Sequence, residues 1–364
     1  MKPPRTAAAV LSAALLLAAM PAASQFPPPS PNVTTFATGL NNPRQLKFGP
    51  DGNLYVAEGG TGGSDSTDGE CDQVVPPVGP YTGSGTGGRI SKIDSKGRRT
   101  TVTDTLPSSQ TSENLGNLVS GVADITWIGK TLYALLAGAG CSHGVVGTPN
   151  GVVRVAPNGS WSLLADLGAF QQANPVAEPQ EADFEPDGTW YSMTTIHNAL
   201  YAVEPNHGEL DRVTRNGDIS RVVDLSESQG HIVPTAMAFH NGYFYVSNLG
   251  TFPLVPAARV MRINPNNGNV RVVAHGFTGV LGIAFDKNDR LYVLEMSAVD
   301  GPTPATGRVV RVGANGGVGK VIATGLVFPA GMTIDPAGEI LYISNFGFGF
   351  PPGAGQVVRV RVAR

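Results

Sequence analysis

An all-β ring of repeated four-stranded units is the fold class that this 364-residue sequence predicts. Three observations carry the prediction. The 47 Gly and 29 Pro interrupt helices and strands alike, which excludes a helical bundle. Charged residues make up only 15% of the chain, against about 25% in an ordinary soluble domain. With so little charge and a near-neutral balance, an acidic disordered tail and a nucleic-acid-binding surface are not expected. Finally, one short aromatic strand recurs six times along the chain.

The first segment stands apart from the fold. Lys2 and Arg5 precede an apolar run from Ala7 to Ala19, and Ala22 and Ser24 form a small-residue cleavage site. Residues 1–24 therefore match a secretory signal peptide, too short to span a bilayer. No later stretch reaches 18 apolar residues, so no transmembrane segment is expected in the mature chain. The expected localisation is secreted or periplasmic. Residues 25–32 (QFPPPSPN) form a stiff Pro-rich lead-in.

The recurring strand carries Tyr in its second position: LYVAE (Leu54–Glu58), LYALL (Leu132–Leu136), LYAVE (Leu200–Glu204), FYVSN (Phe244–Asn248), LYVLE (Leu291–Glu295) and LYISN (Leu341–Asn345). Before each lies another apolar strand, often joined to it by a hairpin signal such as Pro50-Asp51-Gly52 or Asn241-Gly242. After each comes a strand with a basic residue before its last aliphatic: Lys92, Arg154, Arg212, Arg262, Arg311 and Arg359. A fourth strand follows, as in SLLAD (Ser162–Asp166). Six such units over residues 33–364 describe a six-bladed β-propeller of four-stranded antiparallel blades. The last unit has only three strands. The segment VTTFATGL (Val33–Leu40) is an orphan fourth strand, and its ATGL recurs at Ala323–Leu326. Val33–Leu40 should join the last blade and close the ring, which removes an open edge.

Blade geometry assigns residues to faces. The residue three after each repeated Tyr ends the second strand near the channel mouth, on the face that carries the strand 2–3 loops. These residues are Glu58, Leu136, Glu204, Asn248, Glu295 and Asn345. The five polar members are open to three readings. They cap their strands by accepting hydrogen bonds from loop amides. They hold Ca²⁺ or another divalent cation, since hard cations take oxygen ligands. Or they line a polar ligand pocket. Asn206, His207 and His231 fall on the same face, as does His143. His207 or His231 with Glu204 is the candidate acid–base set, His being the side chain that titrates near neutrality. His197 and His240 fall in strand 1–2 turns of the opposite face and should be solvated. The basic strand-3 residues are expected to cover the outer sheet surface. Cys71 and Cys141 lie in Gly-rich loops; in an exported chain they are expected to form a disulfide, with two free thiols as the alternative. GxSxG, HExxH and CxxC are absent. Gly83–Gly88 matches GxGxxG but leads into a strand, which fails the dinucleotide-site context.

The opening ATGLNNPRQLKFGPDGNLYVAEGG (Ala37–Gly60) resembles NHL-type and other six-bladed propellers. From there, the succession GRISKID, LVSGVADITW, EPNHGELDRVT, TAMAFHNGYFYVSNLGTFP, VLGIAFDKNDRLYVLE and TGRVVRV resembles the ScyD/ScyE family. That resemblance implies an exported propeller whose biochemical role is not set by membership. More distantly, the architecture is similar to gluconolactonase-type hydrolases, which hold a divalent cation in the channel. Two functions follow as expectations. The first is an exported binding or scaffold protein of ScyD/ScyE type, non-catalytic and monomeric. It would take a small molecule, polysaccharide or protein on the strand 2–3 face, where Phe346, Phe348 and Phe350 either offer apolar contacts or pack over the blade edge. The alternative is a metal-dependent, lactonase-like hydrolase built on the Glu/Asn ring.

Overall fold

The computed structural model describes residues 26–180 and 185–362. The expected signal segment, 1–24, lies outside the described residues. The ring opens with β1 (Val33–Leu40). Blade one holds β2 (Pro43–Phe48), β3 (Leu54–Glu58), β4 (Thr82–Ile93), β5 (Arg99–Gln110) and the two-residue β6 (Val119–Ser120). Blade two holds β7 (Val122–Ile128), β8 (Thr131–Leu136), β9 (Gly151–Val155) and β10 (Trp161–Asp166). Blade three holds β11 (Ser192–Ile196), β12 (Ala199–Glu204), β13 (Glu209–Val213) and β14 (Ile219–Asp224). Blade four holds β15 (Pro234–His240), β16 (Tyr243–Asn248), β17 (Ala258–Ile263) and β18 (Val270–Phe277). Blade five holds β19 (Val280–Phe285), β20 (Leu291–Glu295), β21 (Gly307–Val312) and β22 (Val318–Leu326). Blade six holds β23 (Gly331–Ile334), β24 (Ile340–Asn345) and β25 (Gly355–Arg361), with β1 as its fourth strand.

The fold is thus a six-bladed propeller, closed as expected. β1 lies antiparallel to β25, with Val33 opposite Val360 and Leu40 opposite Gly355. Blade one departs from the four-strand rule. Its β4 and β5 run twelve residues each and pick up β6 as a fifth strand. Two short helices, α1 (Leu167–Ala173) and α2 (Leu225–Gln229), follow blades two and three. Asp166 and Asp224 end the preceding strands and start these helices, their carboxylates accepting from the amides of Ala169 and Glu227. An Asp at this position is a strong N-cap.

The core is divided rather than central. Six apolar clusters each straddle one pair of neighbouring blades. Leu46, Ile125, Met193, Met237, Ile283 and Met332, equivalent first-strand residues, contribute one side chain to each. The strand 3–4 turns tighten the ring further. Gly217 has φ of +93°, and a Cβ there would lie 2.4 Å from the Leu164 carbonyl of the preceding blade. Gly97 stands in the same relation to Phe36 of β1, across the closure. Only glycine meets both demands.

The Pro-rich lead-in is docked. Phe26 packs on Phe346 and Phe350. Ser30 exchanges hydrogen bonds with Thr324, and the Asn32 amide donates to the Ile322 carbonyl.

Candidate functional site at the strand 2–3 face

The first strands line the channel. Facing rows along them read Gln45, Asp124, Ser192, Ala236, Gly282, Gly331 and then Lys47, Thr126, Thr194, Ala238, Ala284, Thr333. Blades one to three supply nearly all the polar side chains, and these fill their side of the channel. Lys47 reaches Asp124 at 2.5 Å and the Met193 carbonyl at 2.8 Å. Asp124 also accepts from the Met193 amide and the Ser192 hydroxyl. The Gln45 amide crosses to the Leu281 carbonyl at 3.0 Å. Blades four to six offer mostly Ala and Gly. The space they leave is a cavity of about 360 Å³, walled by Phe48, Phe239 and Phe285 toward the opposite face.

The polar residues that end the second strands are all buried. Each is engaged with the loop that enters its own blade or with the adjoining third strand. Glu58 accepts from the Asn41 amide at 2.5 Å and from Arg89 and Ser91. Glu204 accepts from the amides of Thr189 and His207. Asn248 accepts from the Arg259 amide and donates to the Ile232 carbonyl. Glu295 accepts from the Thr278 amide and pairs with Arg308 at 2.5 Å. Asn345 accepts from the Val327 amide at 2.8 Å. In blade two, where the position is Leu136, Asn150 takes over: its carbonyl accepts from Ala139 and its amide donates to Gly188. No described hydrogen bond or ion pair joins any two of the five.

The oxygens that a cation would take as ligands accept amide and guanidinium protons in this structure. Among the described residues, no group of three or more His, Cys, Asp or Glu is arranged to hold a metal ion.

The histidines divide. His207 stands beside Glu204 through its backbone amide, and its Nε2 lies 3.2 Å from the Glu185 carbonyl. Asn206 and His231 are half-buried in their loops. His143 is fully buried: its Nδ1 lies 3.2 Å from the Ser109 hydroxyl and its Nε2 lies 3.4 Å from Glu185. Tyr81 stacks on its ring at 4.4 Å. On the opposite face His197 is exposed, but His240 is not simply solvated as expected. It stacks on Phe285 at 4.0 Å and pairs with Asp289 at 2.8 Å, because the hairpin turn folds its ring back onto the next blade.

Cys71 and Cys141 form the expected disulfide. It ties the insert between β3 and β4 to the short turn that carries His143, and the Thr67 hydroxyl bonds the Cys141 carbonyl.

Sequence reasoning missed Arg44. In the row two residues before the repeated apolar position of the first strands stand Arg44, Ala123, Tyr191, Thr235, Leu281 and Ala330. Arg44 is the only charged member, a signal visible once the blades are aligned. Its guanidinium bridges the Gly347 and Val119 carbonyls and lies 5.6 Å from the Phe348 ring. Tyr191 donates to the Ala330 carbonyl at 2.7 Å. Burial lowers the Arg44 pKa and pushes that of Tyr191 well above the usual phenol range. Beyond them, over blades four to six, lies an apolar cap of Leu254, Met296, Phe328, Phe346 and Phe350, with Phe26 and Phe348 against it. The three phenylalanines of FGFGFPPG are therefore mostly inward: Phe346 and Phe350 are buried and Phe348 is half-buried.

No protein-family model matches the chain, and no curated protein matches it. Solved structures do. A protein assigned as an oxidoreductase (glucose dehydrogenase) from Thermus thermophilus aligns at 17% identity, over 90% of this chain and 99% of its own, with a TM-score of 0.55. An auxiliary nutrient binding protein from Bacteroides thetaiotaomicron aligns at 12% identity, over 90% and 76%, with a TM-score of 0.52. A gluconolactonase from Xanthomonas campestris aligns at 13% identity, over 90% and 98%, with a TM-score of 0.47. The likeness to the first two establishes the propeller fold and, at these identities, leaves activity open. ScyD/ScyE membership is not supported by any of these matches.

Proposed function

We propose that this protein is an exported binding propeller, of the ScyD/ScyE kind that its sequence resembles, and that it takes its ligand on the strand 2–3 face. One observation carries the reading: the two faces are built very differently. On the opposite face the strand 1–2 and 3–4 connections are tight turns, such as Asp51-Gly52, His197-Asn198 and Asn241-Gly242. On the strand 2–3 face stand the disulfide-tied insert, the loops after β16, β20 and β24, and four large apolar side chains open to solvent. These are Val146, Phe252, Val255 and Val299. Rigid scaffolds with elaborated loops on one face place recognition there.

The lactonase-like alternative, with a divalent cation on Glu58, Glu204, Asn248, Glu295 and Asn345, needs these side chains released from the amides and arginines that now hold them.

Hydrogen exchange with a panel of oligosaccharides and small organic acids tests the reading. Ligand-induced protection should fall in residues 59–87, 249–257, 296–306 and 346–354. Protection confined to the turns of the opposite face would overturn it.

A further inference from the structure

The geometry points to Arg44 as the anchor for a small carboxylate bound at the channel head, a conclusion that rests on the strand 2–3 face being the binding face. Four other arginines held against the fold have a buried carboxylate partner: Arg89 with Glu58, Arg221 with Glu209, Arg290 with Asp286 and Arg308 with Glu295. Arg44 has none among the described residues. Its described bonds go to two neutral carbonyls, although a guanidinium carries five N–H donors. Arg259 also lacks a carboxylate, but it sits on a third strand, against the Gln229 carbonyl. Arg44 is on a first strand, at the channel.

A half-buried cation without a counter-charge is costly, and an arriving anion relieves that cost. The surroundings select its shape. A guanidinium fork matches a planar carboxylate, in a charge-assisted pair stronger than a neutral one. Phe348 lies against the guanidinium, and the apolar cap around Phe328 and Phe350 continues from it. The ligand class is therefore a monocarboxylate with a flat or apolar body, its charge on Arg44 and its body against the cap. Below, Gln45 and the Lys47–Asp124 pair take up their side of the channel with bonds already made, which leaves the apolar cap as the surface beside Arg44 at the head.

Benzoate is the probe, benzamide its neutral isostere, and titration calorimetry with hydrogen exchange the readout. Benzoate should bind wild type at least tenfold more tightly than benzamide. Arg44→Lys, which keeps the charge and loses the fork, should weaken benzoate at least tenfold, and Arg44→Gln should abolish it. Should Arg44→Gln fail to fold, the wild-type comparison and Arg44→Lys still decide. Equal binding of benzoate and benzamide, no benzoate binding, or undiminished binding by Arg44→Lys would overturn the carboxylate anchor. If either probe nonetheless protects residues 249–257 and 346–354, the binding face stands and only the ligand class falls. Protection near Phe48, Phe239 and Phe285 alone would overturn both.

Discussion

Tyr55 of β3 faces Lys92 of β4 across a paired register, and the same aromatic–cation pairing recurs in every blade. Tyr133 faces Arg154, Tyr201 faces Arg212, Tyr245 faces Arg262, Tyr292 faces Arg311 and Tyr342 faces Arg359. The two repeated positions seen in the sequence are thus one structural unit. In blades one and two the cation lies over the tyrosine itself, at 5.8 and 5.9 Å from the ring centre. A double-mutant cycle with Tyr133→Leu and Arg154→Met should show a coupling of about 0.5–1 kcal/mol in urea unfolding. Additive effects would remove the pairing as a source of stability.

Glu58 acts as a latch between the blade-entry loop and β4. Glu58→Ala leaves Arg89 buried without its partner and the Asn41 amide without an acceptor. A loss of about 3–5 kcal/mol is expected, as for breaking a buried pair. Glu58→Gln keeps an acceptor for Asn41 and should fall in between. Chemical denaturation measures both; a Glu58→Ala protein as stable as wild type would refute the latch.

Blade three holds an acid that favours its protonated form. Asp211 is fully buried beside Glu209 and Glu204, with the Trp190 indole as its polar neighbour. Burial first, and then the neighbouring carboxylates, raise its pKa well above the ordinary 3.8; Glu209 is raised as well. A carboxyl whose folded pKa is raised holds a proton that the unfolded chain releases. Its effect is absent below the unfolded pKa, and stability falls as pH rises from there toward the folded pKa. Asp211→Asn should therefore melt higher than wild type at pH 7, with the difference vanishing below pH ~4. A variant that is destabilised at every pH would contradict this assignment.

Ring closure rests on β1. Ala37 and Leu40 are buried in the cluster between blades six and one. Leu40→Ala should cost about 2–5 kcal/mol, and a chain lacking residues 33–40 should melt far lower. An unchanged melting temperature for the shortened chain would count against closure as a stabilising device.

Much of the fold was legible because a propeller repeats its demands. Six Tyr, six basic residues and the orphan ATGL strand report blade number and closure directly. Cys71 and Cys141 were legible as a pair because the chain holds two Cys, both in Gly-rich loops. The roles of Glu58, Glu204, Asn248, Glu295 and Asn345 were not settled by sequence. Each has at least one backbone amide among its partners, such as Asn41 for Glu58 and Thr278 for Glu295, and an amide carries no side-chain signal. Position three after Tyr marks the end of a strand but does not say which way an oxygen turns. Arg44 went unseen for another reason: it breaks the repeat instead of following it. His240 was misjudged because Phe285, which covers it, belongs to the next blade.

The central claim is that the strand-2 ends hold the blades together and leave ligand recognition to the loops above them. Metal analysis of the purified protein, before and after chelation and paired with thermal unfolding, tests it most directly. The account predicts no stoichiometric divalent ion and an unchanged melting temperature, with Ca²⁺ or Zn²⁺ producing no shift when added. One ion per chain, lost on chelation together with a fall in melting temperature and absent from a Glu58→Gln, Glu295→Gln variant, would contradict it.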